Sequence, residues 1–203
     1  MSRGLGDVYK RQDSDYASAF NYKIQALFFK LCYWVADSCI IVSQSDLKNI
    51  FKVSSLKKKL SYSEHVINTK LFIADVPKEK IFTSIVWMGD EGNVVRKGVD
   101  KALQIFAELK KIPEFVDYRF VIIGRKGEGE VLVRSIIDKY NLKGSVELKG
   151  EVSEEDKINL LKQSKYYFQL SLYEGFGLAA LEALCANNII IHSGKGGLAN
   201  PCL

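Results

Sequence analysis

The sequence predicts an α/β protein, a parallel sheet with helices on both faces. Three observations carry that prediction. From Ile81 onward, strand-like runs alternate with amphipathic helical runs. The strand-like runs are almost continuously apolar, as in RFVII and NIIIH, which suits strands covered on both sides. Every strand-to-helix junction in this stretch also carries glycine: MGDEGNVVRKG, GRKGEGE, GEVS, SLYEGFG and SGKGG. Ligands of such sheets bind beyond the C-terminal strand ends, so function is expected in these five loops.

The elements follow in order. IFTSIVWMG (81–89) reads as a strand, with residues 88–98 as the loop after it. VDKALQIFAELKK reads as a helix with Val99, Leu103, Phe106 and Leu109 on one stripe. YRFVIIG is the second strand, EGEVLVRSIIDKYNL the second helix and SVELKG the third strand. SEEDKINLLKQS is a helix with Ser153 as N-cap and Asp156 at the third helical position, close to a capping box. YYFQLS is a strand, GLAALEALCAN a helix and NIIIHS the fifth strand.

Upstream, Ala19, Phe20, Ile24, Leu27, Phe28, Leu31 and Val35 recur at helical spacing and predict a helix over 15–35. CIIVS reads as a short buried strand, and Ser45 and Asp46 as caps of a helix running to about Phe51. LKKKLSYSEHVI reads as loop plus strand, and 68–80 as a connector. Three segments result: 1–12, lacking periodicity and expected to be a non-native leader; 13–78, the end of one domain and a linker; and 79–203, a second domain expected to be truncated at its C-terminus.

Composition narrows the function classes. With 203 residues, 47% hydrophobic, 26% charged and three prolines, the chain is an ordinary globular protein, neither disordered nor collagenous. The net charge of +5 lies entirely in residues 1–80, which hold 13 Lys/Arg and 8 Asp/Glu. Cys32, Cys39, Cys185 and Cys202 form no C-x-x-C pair, and no metal-ligand spacing surrounds His65 or His192. The most apolar stretch, QALFFKLCYWVADSCIIV, is broken by Lys30 and Asp37 and falls short of the roughly 20 apolar residues that span a bilayer. With no secretory signal in view, a cytoplasmic location is expected. The cluster Lys52, Lys57, Lys58 and Lys59 reads as a solvated face or, more sharply, as peripheral contact with the inner face of an anionic membrane. Aromatics are not interleaved with it, so nucleic acid is not an expected partner.

The chemistry is expected in SLYEGFGLAALEALCAN. A carboxylate, Glu174, and two glycines, Gly175 and Gly177, stand where a strand gives way to a helix whose first amides can receive phosphate. Glu182 follows eight residues later, which on a continuous helix places it roughly 12 Å along the axis. Carboxylates that far apart share neither a proton nor a metal. They suit the two ends of a long ligand with phosphate between them, the layout of a nucleotide-sugar. SGKGGLA only loosely matches a dinucleotide fingerprint, and GRKGEGE lacks the P-loop pattern.

This segment resembles the E-x7-E signature of the retaining glycosyltransferases of family 4, also called glycosyl transferases group 1. VVRKGVDKALQIFAEL, FVIIG, VELKGEVSEEDKINLLKQS and, upstream, CIIVSQSDLKNIF resemble further family segments in the family's order, over about residues 35–200. The resemblance implies the C-terminal half of a two-Rossmann-domain (type B) glycosyltransferase, with a Rossmann-like donor domain at 79–203 and the end of the acceptor-side domain before it. It implies that Glu174, the catalytic-site carboxylate, contacts the transferred sugar. Gly175, Phe176, Gly177 and Leu178 would hold sugar and diphosphate, Glu182 the ribose hydroxyls, and Lys97 the diphosphate. The family's arginine after the first strand's glycine is missing, because Asp90 and Glu91 follow Gly89, and Arg96 beside Lys97 is the candidate substitute.

The implied donor is a UDP-, GDP- or ADP-sugar, and the acceptor a saccharide or a lipid-linked acceptor. No cofactor and no metal are implied; the sole Asp-x-Asp, Asp13-Ser-Asp15, lies upstream of the alternating region. The family's glycine-rich acceptor loop and histidine find no match in the chain, so donor binding with little turnover is expected of it alone. The alternatives are a non-catalytic nucleotide-sugar-binding domain, or another enzyme of double-Rossmann architecture such as a sugar-nucleotide epimerase or a glucan phosphorylase.

Overall fold

A computed structural model of the chain describes residues 27, 31, 32, 34–41, 60–63, 65–73 and 76–199. These fall into two compact units, divided between His65 and Val66. In the first unit, strand β1 (Cys39–Ile41) pairs in parallel with β2 (Leu60–Tyr62). Of the helix expected at 15–35, Leu27, Leu31, Cys32, Trp34 and Val35 are helical. The leader, Asp13, Asp15, the helix after Ser45 and the cluster of Lys52, Lys57, Lys58 and Lys59 lie outside the described residues.

The second unit carries the predicted alternation. Its strands are β3 (Glu79–Ile85), β4 (Arg119–Ile123), β5 (Val146–Gly150), β6 (Ser164–Gln169) and β7 (Ile189–His192). Its helices are α1 (Glu91–Arg96), α2 (Val99–Leu109), α3 (Gly129–Lys139), α4 (Glu154–Gln163) and α5 (Leu178–Cys185). All strand pairings are parallel, in the order β5-β4-β3-β6-β7. The chain therefore winds outward from β3 to β5, returns, and winds the other way through β6 and β7. The junction of β3 and β6 is the topological switch point, where α/β sheets open a crevice at their C-terminal edge.

The two-residue strand period sorts the core into two layers. Phe82, Phe120, Ile122 and Phe168 face one way and pack with Val99, Leu103 and Phe106 of α2 and Val133 of α3. Phe82 stacks on Phe168 with ring centroids 5.0 Å apart. On the opposite face Tyr167 joins Leu161 of α4, Ala180 and Ala183 of α5, and Phe72. The C-termini of α4 and α5 are closed by two side chains. Lys78 donates to the carbonyls of Leu161 (3.2 Å) and Ala186 (2.5 Å), and the Asn188 amide donates to Leu161 (2.8 Å) and Ala183 (2.9 Å). These are the last-turn carbonyls that a helix cannot satisfy itself. Burial lowers the Lys78 pKa.

One element departs from the sequence reading. Residues 91–96, expected within a loop, form the short helix α1. Asp90 caps it by accepting from the Asn93 N–H at 2.6 Å, and Val94 is fully buried beneath it. An Asx cap followed by a single buried valine gives too short an apolar pattern for periodicity to register.

Candidate active site

Two loops meet at the switch point. The first is the junction of α1 and α2. Lys97 ends α1, and Gly98 turns the chain in the left-handed region (φ 69°) to start α2. Glycine is required there on two counts, since a Cβ would also lie 2.1 Å from the Leu170 carbonyl oxygen. The second loop, 170–177, joins β6 to α5. Leu172 N–H donates to the Arg96 carbonyl at 2.8 Å, so the two loops are tied backbone to backbone.

This tie brings Lys97 onto Glu174. Lys97 Nζ lies 2.7 Å from Glu174 Oε2, and both side chains are about one-fifth exposed (22% and 18%). The same oxygen accepts from Gln169 Nε2 and Ser171 Oγ, each at 3.1 Å. Beneath it, Tyr167 Oη donates to Gln169 Oε1 at 3.1 Å and accepts from the Ile85 N–H at 3.3 Å. Burial pushes the Tyr167 phenol far above its ordinary pKa, so it stays protonated.

Gly177 is left-handed (φ 88°) and sets the start of α5 at Leu178. The N–H groups of Leu178, Ala179 and Ala180 open the helix, where no earlier turn supplies acceptors. A Cβ on Gly175 would meet nothing within 4 Å. Two glycines of the last loop, Gly196 and Gly197, are in contrast pressed against this segment. Gly197 N–H donates to the Glu174 carbonyl at 2.6 Å, and a Cβ on Gly196 or Gly197 would sit 2.3–2.4 Å from the Glu174 and Gly175 backbone. SGKGG thus supports the Glu174 loop from behind, close packing that explains Gly196 and Gly197 without a dinucleotide.

Glu182 lies one turn into α5. The interval from Glu174 is not one helix: four of its residues, 174–177, precede α5, so the 12 Å helical spacing expected from sequence does not apply. The left-handed Gly177 is the reason. Glu182 is gripped by Lys157 of α4, whose Nζ is 3.0 Å from Oε2 and 3.1 Å from Oε1. Lys157 also meets Glu154 at 2.7 Å. Burial opposes the Lys157 charge, but the hydrogen bonds and charges of the two glutamates outweigh it and raise its pKa. Burial and the Glu182 charge push the nearby Cys185 thiol up.

Of the remaining predicted residues, Arg96 bonds its own helix, donating to Asn93 Oδ1 at 2.8 Å. Phe176 is half-buried and Leu178 exposed. His192 accepts from the Gly194 N–H through Nδ1, a local turn contact. Sequence reasoning missed Gln169, Ser171 and Lys157. The signal for the first two was the polar alternation Q-x-S that follows the aromatic run Tyr166–Phe168 of a central strand. Among the described residues, no group of three or more His, Cys, Asp or Glu is placed to hold a metal ion, and no helix is long and apolar enough to cross a membrane.

Residues 92–200, more than half of the chain, match the model of the family described as glycosyl transferases group 1. The chain belongs to that family. Over 101 residues it is 36% identical to the GDP-mannose:cellobiosyl-diphosphopolyprenol alpha-mannosyltransferase of Xanthomonas oryzae pv. oryzae, covering 49% of this chain and 26% of that protein. Over 105 residues it is 30% identical to a component of the human phosphatidylinositol N-acetylglucosaminyltransferase, covering 52% and 21%. The chain thus matches about a quarter of the length of these curated relatives. Among solved structures, sucrose-phosphate synthase from Thermosynechococcus elongatus aligns with a TM-score of 0.74 at 23% identity, over 96% of this chain and 49% of that one. Anabaena HepE, solved with UDP-glucose, aligns at 0.72 and 14%, over 92% and 53%. The fold is the parallel α/β sheet of one half of a glycosyltransferase of the two-Rossmann-domain type.

Proposed function

We propose that the chain carries the donor-binding part of a family 4 glycosyltransferase, which transfers a sugar from a nucleotide-sugar to an acceptor with retention and without a metal. The observation that carries this reading is the Lys97–Glu174 pair, 2.7 Å apart at the switch point beside the N-terminus of α5. Breaking the bond from sugar to diphosphate builds negative charge on the leaving group. A fixed ammonium and the free amides of a helix N-terminus stabilise that charge without reorganising, which is how preorganised sites lower barriers. Glu174 then meets the sugar, Gly175, Phe176, Gly177 and Leu178 line the sugar and diphosphate, and Glu182 accepts from the ribose. Arg96 adds positive charge at the diphosphate end by leaving Asn93. Glu182 is paired with Lys157 in the unliganded chain, so ribose hydroxyls join or exchange with that partner on binding.

The two relatives, each named for transfer to a lipid or a lipid diphosphate carrier, support a lipid-linked acceptor. A lipid-linked acceptor fits the basic cluster at Lys52, Lys57, Lys58 and Lys59, which would meet the cytoplasmic face of a membrane. Calorimetric titration with UDP, GDP and ADP tests the donor reading. One of them binds more tightly than millimolar; if none does, the reading is wrong.

A further inference from the structure

The geometry points to Gln169 and Ser171 as positioning residues that lock Glu174 through one oxygen and leave the other for the donor sugar. This rests on the donor reading above and adds a device to it.

The hydrogen-bond directions are forced. A carboxylate only accepts, so the Gln169 group facing Glu174 Oε2 at 3.1 Å must be its NH2. That turns Gln169 Oε1 toward Tyr167, whose hydroxyl must then donate (3.1 Å) and whose lone pair is left for the Ile85 N–H. Ser171 closes the set. It accepts from Gln169 at 2.9 Å and donates to Glu174 Oε2 at 3.1 Å. Flipping the Gln169 amide breaks three of these bonds at once. Gln169 is 5% exposed and Tyr167 and Ser171 are fully buried, so no water can substitute.

The chain of donors therefore runs from the β3 backbone through β6 to one carboxylate oxygen. With Lys97, Oε2 receives three donors, and Oε1 receives none of the three. Glu174 sits on a loop, which alone would leave its rotamer free. The network fixes it before a ligand arrives, which spares the binding step the cost of ordering the side chain.

The test compares a nucleotide with its sugar conjugate. Affinities for UDP and UDP-glucose, and for GDP and GDP-mannose, are measured calorimetrically on the full chain. The variants are Gln169→Leu, Ser171→Ala and Tyr167→Phe, the last keeping the ring that fills the core. Gln169→Leu and Ser171→Ala weaken the sugar-nucleotide by about tenfold and leave the bare nucleotide within about twofold. Tyr167→Phe shows the same split at about threefold. Equal loss for nucleotide and conjugate, or no loss, overturns the proposal, because a purely structural role moves both together. If the unsubstituted chain binds no nucleotide, the donor reading falls by itself. Ligand-free crystals then decide the positioning claim: Glu174 adopts one conformer in the unsubstituted chain and more than one in Gln169→Leu. A single unchanged conformer in the variant overturns it.

Discussion

Glu174 and Glu182 are carboxylates of the same segment, each facing a lysine at 2.7–3.0 Å, yet they are held by opposite means. Glu174 stands on a loop and is fixed by two buried neutral donors, Gln169 at the end of the strand below and Ser171 of its own loop, with Lys97 as a third partner. Glu182 stands inside α5, where the helix backbone already fixes its direction, and it accepts from one charged donor, Lys157, which it shares with Glu154. A loop carboxylate needs a polar network to be placed; a helical one needs only a counter-ion.

The comparison breaks most visibly at the glycines. Gly197→Ala places a Cβ 2.4 Å from the Gly175 carbonyl oxygen and the Phe176 Cα, so the Glu174 loop must move. The expected loss is about 3 kcal/mol of unfolding free energy, read by urea denaturation. Gly175→Ala, whose Cβ meets nothing within 4 Å, changes stability by less than about 0.5 kcal/mol. A next smaller effect is expected at Glu182. Glu182→Ala weakens nucleotide binding by about 1–3 kcal/mol through lost charged hydrogen bonds. An unchanged affinity removes Glu182 from the site.

The smallest effects are in pH. The Lys157 pKa is raised by its glutamates, so its stabilisation is fully present below the ordinary lysine value and is lost as pH rises through the higher folded value. The stability gap between the unsubstituted chain and Lys157→Met therefore stays constant from about pH 7 to about pH 9 and shrinks only above about 10.4. Lys78 has the opposite sign. Burial lowers its pKa, so the unfolded chain binds the proton more tightly. Relative to Lys78→Met, the unsubstituted chain gains stability as pH rises toward the ordinary lysine value. Denaturation at stepped pH separates the two.

Much of this was legible in the residues. Five strands from Ile81 onward, the Ser153 cap (Asp156 N–H to Ser153 Oγ, 3.0 Å) and the strand-to-helix placement of EGFG all follow from apolar pattern, cap chemistry and glycine. What stayed hidden depends on contacts distant in sequence. Lys97 meets Glu174 across 77 residues and Lys157 meets Glu182 across 25, and no local period encodes either. The helix α1 was missed because a single buried valine makes no stripe. The 12 Å figure assumes one continuous helix from Glu174, whereas α5 starts only at Leu178, after the left-handed Gly177.

The central claim is that the Glu174 loop and the opening turn of α5 bind the diphosphate of a nucleotide. Amide NMR spectra of the chain, recorded while UDP, GDP or ADP is titrated in, test it most directly. The account predicts shifts concentrated at Lys97, Gly98, Gly175–Ala180 and Glu182. Shifts centred elsewhere on the sheet, or none at millimolar nucleotide, would contradict it.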